Sequence, residues 1–210
     1  MLDLAWEKSL WRQGARLVAG ADEAGRGPLA GPVVAACVVL GPDFKISAAL
    51  KKVRDSKLIG PVERAELFQL LQEKISHFGV AIIDHLTIDR INILAASLLA
   101  MRQAAENTGQ NIDHLLIDGN KEIPDCKFKQ TAIIDGDHQV FAIAAASILA
   151  KVTRDRIMQE MHDKWPEYKF NEHKGYATQE HLRLIKQYGP CPIHRLSFSP
   201  FRQPKTTKMF

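Results

Sequence analysis

The residues of this chain that are best suited to chemistry are acidic residues that end apolar runs. Five of them stand out, namely Asp22, Glu23, Asp118, Asp135 and Asp137. Acids at the ends of neighbouring strands can converge in an α/β sheet, and converging carboxylates repel one another. A divalent cation removes that cost, and hard oxygen ligands favour Mg²⁺ or Mn²⁺ over zinc. The pattern therefore predicts a metal site built from carboxylates.

Asp22 and Glu23 are adjacent, and this spacing leaves two interpretations open. Neighbouring side chains on a regular strand point to opposite faces, so both reach one site only if the backbone bulges or Glu23 contributes from the edge. Gly25 and the glycines after it would allow such a bend. The alternative is that the two acids simply cap a turn. Two metal ions held by such acids suit phosphodiester hydrolysis, in which one activates water and the other stabilises the leaving oxygen.

The charges of the chain are unevenly distributed, although the formal net charge is only +4. Residues 1–150 contain 16 Lys and Arg against 18 Asp and Glu, whereas residues 151–210 contain 12 against 6. A basic segment attached to an acid-bearing body favours a polyanion such as nucleic acid as the partner. A solvated basic tail would give the same counts. In the first interpretation the acids hold metal and the bases hold backbone phosphate.

Size and composition are typical of a globular protein with one large domain, or one domain with an appendage. The 210 residues are 46% hydrophobic and 25% charged, and no apolar run approaches the length of a membrane span. Residues 1–11 contain acids and lack the apolar core of a signal peptide. The cysteines, Cys37, Cys126 and Cys191, have no metal-binding spacing. We interpret them as reduced thiols and expect a cytoplasmic protein.

Apolar runs alternate with helical patterns along the chain, which predicts an α/β domain with a mixed sheet. Strands are expected at residues 17–22, 32–40, 79–83, 114–118 and 131–134, with a hairpin-like return between the first two. Helices are expected at residues 61–77, 88–108, 142–164 and 178–187. We divide the chain into a catalytic domain, residues 1–165, and a basic helical segment, residues 166–210, that packs on it and contacts the substrate.

Six sequence blocks, in order and spanning residues 17–200, resemble the ribonuclease HII family, the type 2 ribonucleases H. The blocks are GADEAGRGPLAGPVV at 20–34, DSK at 55–57, IDG at 117–119, IAAASILAKVTRD at 143–155, HKGYAT at 173–178 and HRLSF at 194–198. One short block such as IDG would carry little weight. Six blocks in the right order, two of them longer than ten residues, are specific to the family.

The resemblance implies an RNase H-like mixed β-sheet flanked by helices, with a small C-terminal helical extension. It implies an endonuclease that cuts the RNA strand of RNA–DNA hybrids and cuts on the 5′ side of single ribonucleotides in duplex DNA. The products would carry 5′-phosphate and 3′-hydroxyl ends. The cofactor would be Mg²⁺ or Mn²⁺, with two ions per active site when substrate is bound. The family also suggests a monomer with no membrane partner.

The family's four metal-binding acids fall on Asp22, Glu23, Asp118 and Asp137 of this sequence, and these are the predicted catalytic residues. The fourth acid has an alternative, because the family usually has Lys-Gly-Asp where this chain has Asp-Gly-Asp, with Asp135 first. The extra charge of Asp135 would either alter metal affinity or point to solvent.

The resemblance also assigns the substrate-binding residues. They are Gly25, Arg26, Gly27, Lys57, Ser147, Lys151, Lys174, Tyr176 and Arg195. In the family, the glycine–arginine–glycine backbone contacts the phosphate and 2′-hydroxyl at the RNA–DNA junction, and the tyrosine packs on the deoxyribose that follows. A 2′-hydroxyl at that deoxyribose would crowd the ring. Ala177 replaces a common glycine of the family and leaves Tyr176 in place, while Lys57, Lys174 and Arg195 fit contacts to backbone phosphate.

Some assignments remain open at the level of sequence. Asp155 fits either a place beside the metal ligands or an ion pair with Lys151, and we favour the ion pair. His173 fits acid–base chemistry or a structural hydrogen bond, and we favour the second. Residues 203–210 could contact a sliding clamp. Two other functions compete with the hybrid nuclease: a non-catalytic nucleic-acid-binding protein, and another two-metal phosphodiesterase such as a DNA exonuclease.

Overall fold

A five-stranded mixed sheet forms the centre of the computed structural model, which describes residues 2–54, 56 and 59–201. The strands are β1 (Val18–Ala24), β2 (Val33–Leu40), β3 (His77–Ile83), β4 (His114–Asp118) and β5 (Gln130–Ile133). Their order across the sheet is β3-β2-β1-β4-β5. β2 pairs antiparallel with β1 and with β3, whereas β1, β4 and β5 run parallel. The predicted mixed sheet is therefore confirmed, including the antiparallel return between the first two strands.

Helices cover both faces of this sheet. They are α1 (Ala5–Arg12), α2 (Pro61–Lys74), α3 (His85–Ile91), α4 (Ile93–Asn107), α5 (Phe141–Lys164), α6 (Phe170–His173) and α7 (Gln179–Tyr188). α5 packs on one face together with α2, and α4 packs on the other face. The result is a three-layer arrangement in which the strand ends stay accessible at the edges of the layers.

The first half of α5 lies unusually close to the sheet because small residues face each other there. Ala142 and residues 144–146 are fully buried. A Cβ atom built on Gly20 of β1 would lie 2.4 Å from the carbonyl carbon of Ala142, so no larger residue fits at that crossing. This close approach brings the following turns of α5, with Ser147 and Lys151, next to the end of β1.

The predicted helix at residues 88–108 is wrong in one respect, because two helices occupy this region. Asn92 separates α3 from α4 with a positive φ of 70°. Its side chain accepts a hydrogen bond from the Ala95 N–H at 3.1 Å and so begins a new helix. Apolar periodicity runs on across such a break, which is why the sequence pattern did not show it. The predicted helix at 61–77 also ends early, at Lys74, since residues 77–78 join β3.

The N-terminal helix α1 was not predicted, and it contributes a buried carboxylate. Glu7 has no solvent exposure, and its Oε1 atom accepts the Ala142 N–H at 2.9 Å. That N–H belongs to the first turn of α5 and has no partner within the helix. Burial raises the pKa of Glu7, and the bond from Ala142 opposes that rise. α1 therefore fixes the start of α5.

The segment after α5 packs back on the body through its own apolar cluster, which includes Met158, Tyr168 and Phe170. Ala30, in the connection between β1 and β2, belongs to the same cluster and forms a β-bridge with His194.

The division into two domains stays a prediction. Among the described residues no helix combines the length and apolarity of a membrane span. All three cysteines are free thiols.

Candidate active site

Asp22 and Asp118 lie side by side because their strands are parallel neighbours. The register pairs Ala21 of β1 with Ile117 of β4, so the next residue of each strand is an aspartate at the same end. Aligned residues on neighbouring strands point to the same face, which here is the face covered by α5. Asp22 is only 5% exposed. The sheet register alone thus brings together two of the predicted acids, which are 96 positions apart in sequence.

Asp137 reaches the same region from the short 3₁₀ turn that precedes α5. The Gly136 N–H donates to Oδ1 of Asp118 at 2.7 Å and ties this turn to the end of β4. Asp137 is 3% exposed, and its charge contributes to the raised pKa of Asp22. Asp135 is instead exposed, at a φ of 52°. The structure therefore places Asp137 with the other acids and points Asp135 to solvent.

Glu23 lines the same cavity as Asp22 although β1 has no bulge there, which fits the arrangement in which Glu23 reaches the site from the strand edge. β1 pairs with β2 residue for residue, without a bulge, so Glu23 leaves the strand on the face opposite to Asp22. Its N–H donates to Oδ1 of Asp22 at 2.6 Å, and its Oε1 lies 3.2 Å from Nη1 of Arg26. Burial raises the pKa of Glu23, and the negative charge of Asp118 raises it further. The positive charge of Arg26 opposes this rise.

Burial and neighbouring negative charges both disfavour the ionised form of Asp22. Burial raises the pKa of Asp22 well above its usual range, and the charges of Glu23 and Asp118 raise it further. Buried carboxylates with like-charged neighbours are a suitable donor set for a hard dication. Within residues 2–54, 56 and 59–201, no three His, Cys, Asp or Glu side chains stand close enough to form a metal cage by themselves. The acids fit the chemistry of Mg²⁺ or Mn²⁺, whose remaining ligands are commonly water and substrate phosphate.

One cavity of about 280 Å³ joins three of these acids to predicted substrate-binding groups, while Asp137 borders a neighbouring cavity. It is lined by the acids Asp22, Glu23 and Asp118, by residues 24–27, and by Ser56, Ser147, Lys151 and Tyr176. Tyr176 is 43% exposed, and a Cβ atom built on Gly27 would lie 3.6 Å from its Cε1 atom. The glycine–arginine–glycine loop and the tyrosine ring thus face each other across the opening of the cavity.

The polar residues of α5 connect this cavity to Ser56 and to α2. Ser147 Oγ donates to Ser56 Oγ at 2.8 Å, and both serines are nearly fully buried. Lys151 Nζ donates to Oδ1 of Asp155 at 2.7 Å, and Nη1 of Arg64 lies 3.6 Å from the same carboxylate. Asp155 is therefore the partner of two cations, in agreement with the ion pair that the sequence favoured.

Comparison with known proteins agrees with this geometry. A sequence model described as ribonuclease HII matches residues 19–200. The chain belongs to the ribonuclease HII family. A ribonuclease HII of Caldicellulosiruptor bescii is 50% identical over 192 residues, which are 91% of each protein. The enzyme is thus a metal-dependent endonuclease with ribonuclease H activity on RNA–DNA hybrids.

Solved structures support the RNase H-like fold of this chain. Ribonuclease H2 of Pyrococcus horikoshii superposes with a TM-score of 0.72 at 27% identity, over 88% of this chain and 95% of that one. Ribonuclease HII of Archaeoglobus fulgidus, solved in complex with PCNA, gives a TM-score of 0.71 at 23% identity, over 90% of this chain and 98% of that one. At 23% identity, the Archaeoglobus fulgidus structure shows only that the fold is shared.

Arg195 does not lie where a contact to backbone phosphate requires it. Its side chain has no solvent exposure. Its guanidinium donates to four backbone carbonyl oxygens, those of Gly25, Arg26, Pro28 and Gly31, at 2.7 to 2.9 Å. The sequence analysis placed Arg195, in the HRLSF block, among the residues that fit contacts to backbone phosphate. The structure corrects this expectation, since Arg195 lies underneath the loop that faces the cavity.

Lys174 and Lys57 have less direct support. Lys174 lies at a φ of 51°, and its Nζ donates to the Asn171 carbonyl at 2.7 Å, beside the cavity rather than on its wall. Burial lowers the pKa of Lys174. Lys57 lies outside the described residues. Phosphate contacts by both lysines stay predictions.

Arg154 was missed by the sequence analysis. It is fully buried and donates to the carbonyl oxygens of Pro32 at 3.0 Å, Ala30 at 3.2 Å and Lys174 at 3.0 Å. A usable signal was present, because Arg154 follows Ser147 by seven residues and Lys151 by three on one helix and so shares their face.

Three histidines support the loop that carries Tyr176. His181 Nδ1 lies 2.9 Å from the Tyr176 carbonyl oxygen, and His181 Nε2 lies 3.1 Å from His194 Nε2. His173 stacks on His181 with ring centroids 4.3 Å apart, and both of its ring nitrogens bond to backbone. This geometry agrees with the structural role that we favoured for His173. The roles of His181 and His194 were not predicted, because nothing in the sequence shows that the rings meet.

Proposed function

We propose that this enzyme cuts duplex DNA on the 5′ side of a single embedded ribonucleotide, in addition to the RNA strand of hybrids, and leaves 5′-phosphate and 3′-hydroxyl ends. The proposal depends on one observation: a single cavity is walled by carboxylates on one side and by the Gly25–Gly27 loop with Tyr176 on the other. Acids alone would serve any metal nuclease. A glycine-rich backbone beside an aromatic ring suits the reading of a ribose next to a deoxyribose.

Asp22, Glu23, Asp118 and Asp137 are the proposed metal ligands and catalytic residues, with Mg²⁺ or Mn²⁺ as the cation and two ions per site when substrate is bound. Asp22, Glu23 and Asp118 line one cavity, Asp137 comes from the turn that is bonded to Asp118, and the burial of Asp22 among like charges supports this role. When bound, the ions would lower the pKa of an attacking water and stabilise charge on the leaving 3′-oxygen. The protein supplies the fixed oxygen donors and their orientation.

The remaining residues of the cavity hold and orient the substrate in this proposal. Backbone N–H groups of the Gly25–Gly27 loop approach the phosphate and 2′-hydroxyl, because glycine has no side chain to obstruct them. The Tyr176 ring packs against the following deoxyribose and crowds a 2′-hydroxyl there. Lys151 and Ser147 both line the cavity. In this proposal they contact the sugar–phosphate backbone of the nucleic acid near the cut. Lys57 and Lys174 add contacts to flanking phosphates.

A duplex with one ribonucleotide, incubated with Mg²⁺, with Mn²⁺ or with EDTA, tests the proposal. We expect one metal-dependent nick on the 5′ side of the ribonucleotide, and no nick in an all-DNA duplex of the same sequence. Asp22→Asn and Asp118→Asn should abolish the nick while the protein still binds the duplex. A metal-independent binding protein would give no nick at all, and a DNA exonuclease would degrade the control duplex.

Three further predictions remain untested. Residues 203–210 are proposed to contact a sliding clamp. These residues lie outside the described part of the chain. The proposal is supported by the structure of the Archaeoglobus fulgidus ribonuclease HII, which was solved in complex with PCNA. A monomer is still expected. A cytoplasmic location is still expected as well, and the three free cysteines are in keeping with it.

A further inference from the structure

We infer that Arg154 and Arg195 are positioning residues that together hold the Gly25–Gly27 loop and the Tyr176 loop in the geometry needed to read the RNA–DNA junction. Both arginines are fully buried, and neither lines the cavity. Their role is therefore exerted through backbone, not through contact with nucleic acid. The inference rests on the proposed function for what the two loops read, but the placement of the loops can be tested without substrate.

Arg195 shapes the loop by binding its carbonyl oxygens from the inside. The oxygens of Gly25 and Arg26 accept from Nη2 and Nη1 of Arg195 at 2.7 and 2.9 Å. In a trans peptide the C=O and the following N–H point in opposite directions. The N–H groups of Arg26 and Gly27 therefore point away from Arg195, on the side where these residues line the cavity. Inward carbonyls and outward N–H groups are what an anion or a hydroxyl oxygen requires of a binding loop.

Arg154 joins that loop to the one that carries the tyrosine. Its Nη2 atom donates to two carbonyl oxygens, those of Ala30 and Lys174. Ala30 lies on the loop between β1 and β2, and Lys174 lies two residues before Tyr176. The Leu29 N–H donates to the Gly175 carbonyl at 2.8 Å and forms a second link between the same two segments. The distance from Gly27 to the Tyr176 ring is thus set by a rigid connection beneath the surface.

Gly25 shows how closely Arg154 and the loop fit. A Cβ atom built on Gly25 would lie 2.1 Å from Nε of Arg154, and the φ of Gly25 is 101°. The glycine is therefore required by the buried arginine even before any substrate is considered. Gly27 has more room than Gly25. A Cβ atom built on Gly27 would make only an ordinary contact, at 3.6 Å from the Tyr176 ring.

The arrangement is costly, which argues that it serves function. Among the described residues neither arginine forms an ion pair, and burying a guanidinium without a carboxylate partner carries a desolvation penalty. A planar fork with five donors can bind several carbonyls at once, and a lysine cannot reproduce that geometry. Apolar side chains would fill the same space more cheaply if packing alone were needed.

Arg195→Lys and Arg195→Gln test the inference, with Arg183→Lys, an exposed residue of α7, as the matched control. In the free enzyme we expect the amides of residues 25–32 to exchange hydrogen at least about tenfold faster, while those of β1 and β4 keep their protection. Cleavage of a hybrid should lose roughly 10- to 100-fold in kcat, since small displacements of positioning groups have effects of that size. Arg154→Lys should accelerate exchange in residues 174–176 as well, with the exposed Arg156→Lys as its control.

Salt dependence of hybrid binding separates positioning from direct contact. If Arg195 touched phosphate, Arg195→Gln would lower the slope of log K against log salt by about 0.9, and Arg195→Lys would restore it. Positioning predicts an unchanged slope and no rescue by lysine. Exchange that rises equally in β1 and β4, or full cleavage by Arg195→Lys, would overturn the inference. If Arg195→Gln does not fold, the lysine variants decide the question. Failure of the wild type to nick at a ribonucleotide would refute the proposed function and leave the exchange result intact.

Discussion

At the scale of single residues, the site is a compromise between charge repulsion and precise placement. Asp22 is buried beside other acids, and both burial and neighbouring charge raise its pKa. Such a group is unfavourable in the isolated protein and becomes favourable when a cation is present. The second acid of the Asp-Gly-Asp sequence belongs to this group, whereas Asp135 points away from it.

Replacement of Asp137 by asparagine should therefore reduce cleavage by at least about 100-fold, the upper end of losses seen when a supporting group of a metal site is removed. Asp135→Asn is the matched control, because it removes the same charge two residues away, and its rate should stay within about threefold of the wild type. Rates on an RNA–DNA hybrid with saturating Mg²⁺ check both variants. If Asp135→Asn lost more activity than Asp137→Asn, Asp135 would be the fourth metal ligand instead.

The two glycines of the loop should respond differently to alanine. Gly25→Ala should lower the free energy of unfolding by at least about 1–3 kcal/mol from backbone strain alone, and its clash with Arg154 adds to this. Gly27→Ala should leave stability within about 0.5 kcal/mol and still reduce cleavage on the order of tenfold or more, because its methyl group enters the space beside Tyr176. Urea unfolding and hybrid cleavage measure the two effects. Equal stability losses would contradict the assignment.

At the scale of elements, the histidines of the C-terminal segment form a directed chain of hydrogen bonds. The Tyr176 carbonyl can only accept, so Nδ1 of His181 carries a proton and Nε2 of a neutral His181 accepts. His194 must then donate from Nε2, and its free Nδ1 accepts the Cys191 N–H at 2.9 Å. When both rings are neutral, each of their nitrogens has a partner. The chain fixes α7 and the Tyr176 loop relative to each other.

Acid should weaken this chain. Burial lowers the pKa of His181 and of His194 to about 4, below the value of 6.5 that an unfolded chain would have. The unfolded state therefore binds more protons between those values, and the contribution to stability is complete above about pH 6.5 and falls as the pH drops towards 4. The buried carboxyl of Asp22 has a raised pKa and shifts stability in the opposite sense, so a variant comparison is needed.

We expect His194→Gln to reduce the loss of stability between pH 7 and pH 4.5 by roughly 2–3 kcal/mol relative to the wild type. Urea unfolding midpoints at the two pH values give this difference. His77→Gln, on the exposed start of β3, is the control and should track the wild type. A pH dependence of His194→Gln that matches the wild type would mean that the ring pair does not titrate in this window.

At the scale of the whole molecule, acids and bases are assigned to different parts of the fold. The strand ends carry the acids, while α5 brings Lys151 to the same cavity. The substrate is a polyanion, so each lysine that neutralises a phosphate should appear in the salt dependence of binding. Bases elsewhere on the surface should not.

Lys151→Gln should lower the slope of log K against log salt for hybrid binding by about 0.9, together with weaker binding at every salt concentration. Lys129→Gln is the matched control, because Lys129 is exposed and precedes β5, at the end of the sheet away from the acids. Fluorescence anisotropy without divalent metal measures both slopes. An unchanged slope for Lys151→Gln would show that its pairing with Asp155 persists and that it does not reach phosphate.

The sequence by itself determined the strands and the type of chemistry of this protein. Alternating apolar runs identified all five strands, and the acids that end them indicated an oxygen-ligand metal site, because hydrophobicity and charge are properties of the residue itself. The six sequence blocks identified the family. Only the tertiary structure decided which acids meet, since the parallel register of β1 and β4 joins residues about a hundred positions apart. It also turned Arg195 inward and revealed Arg154, because burial of a charged residue depends on what packs around it, and no local pattern records that.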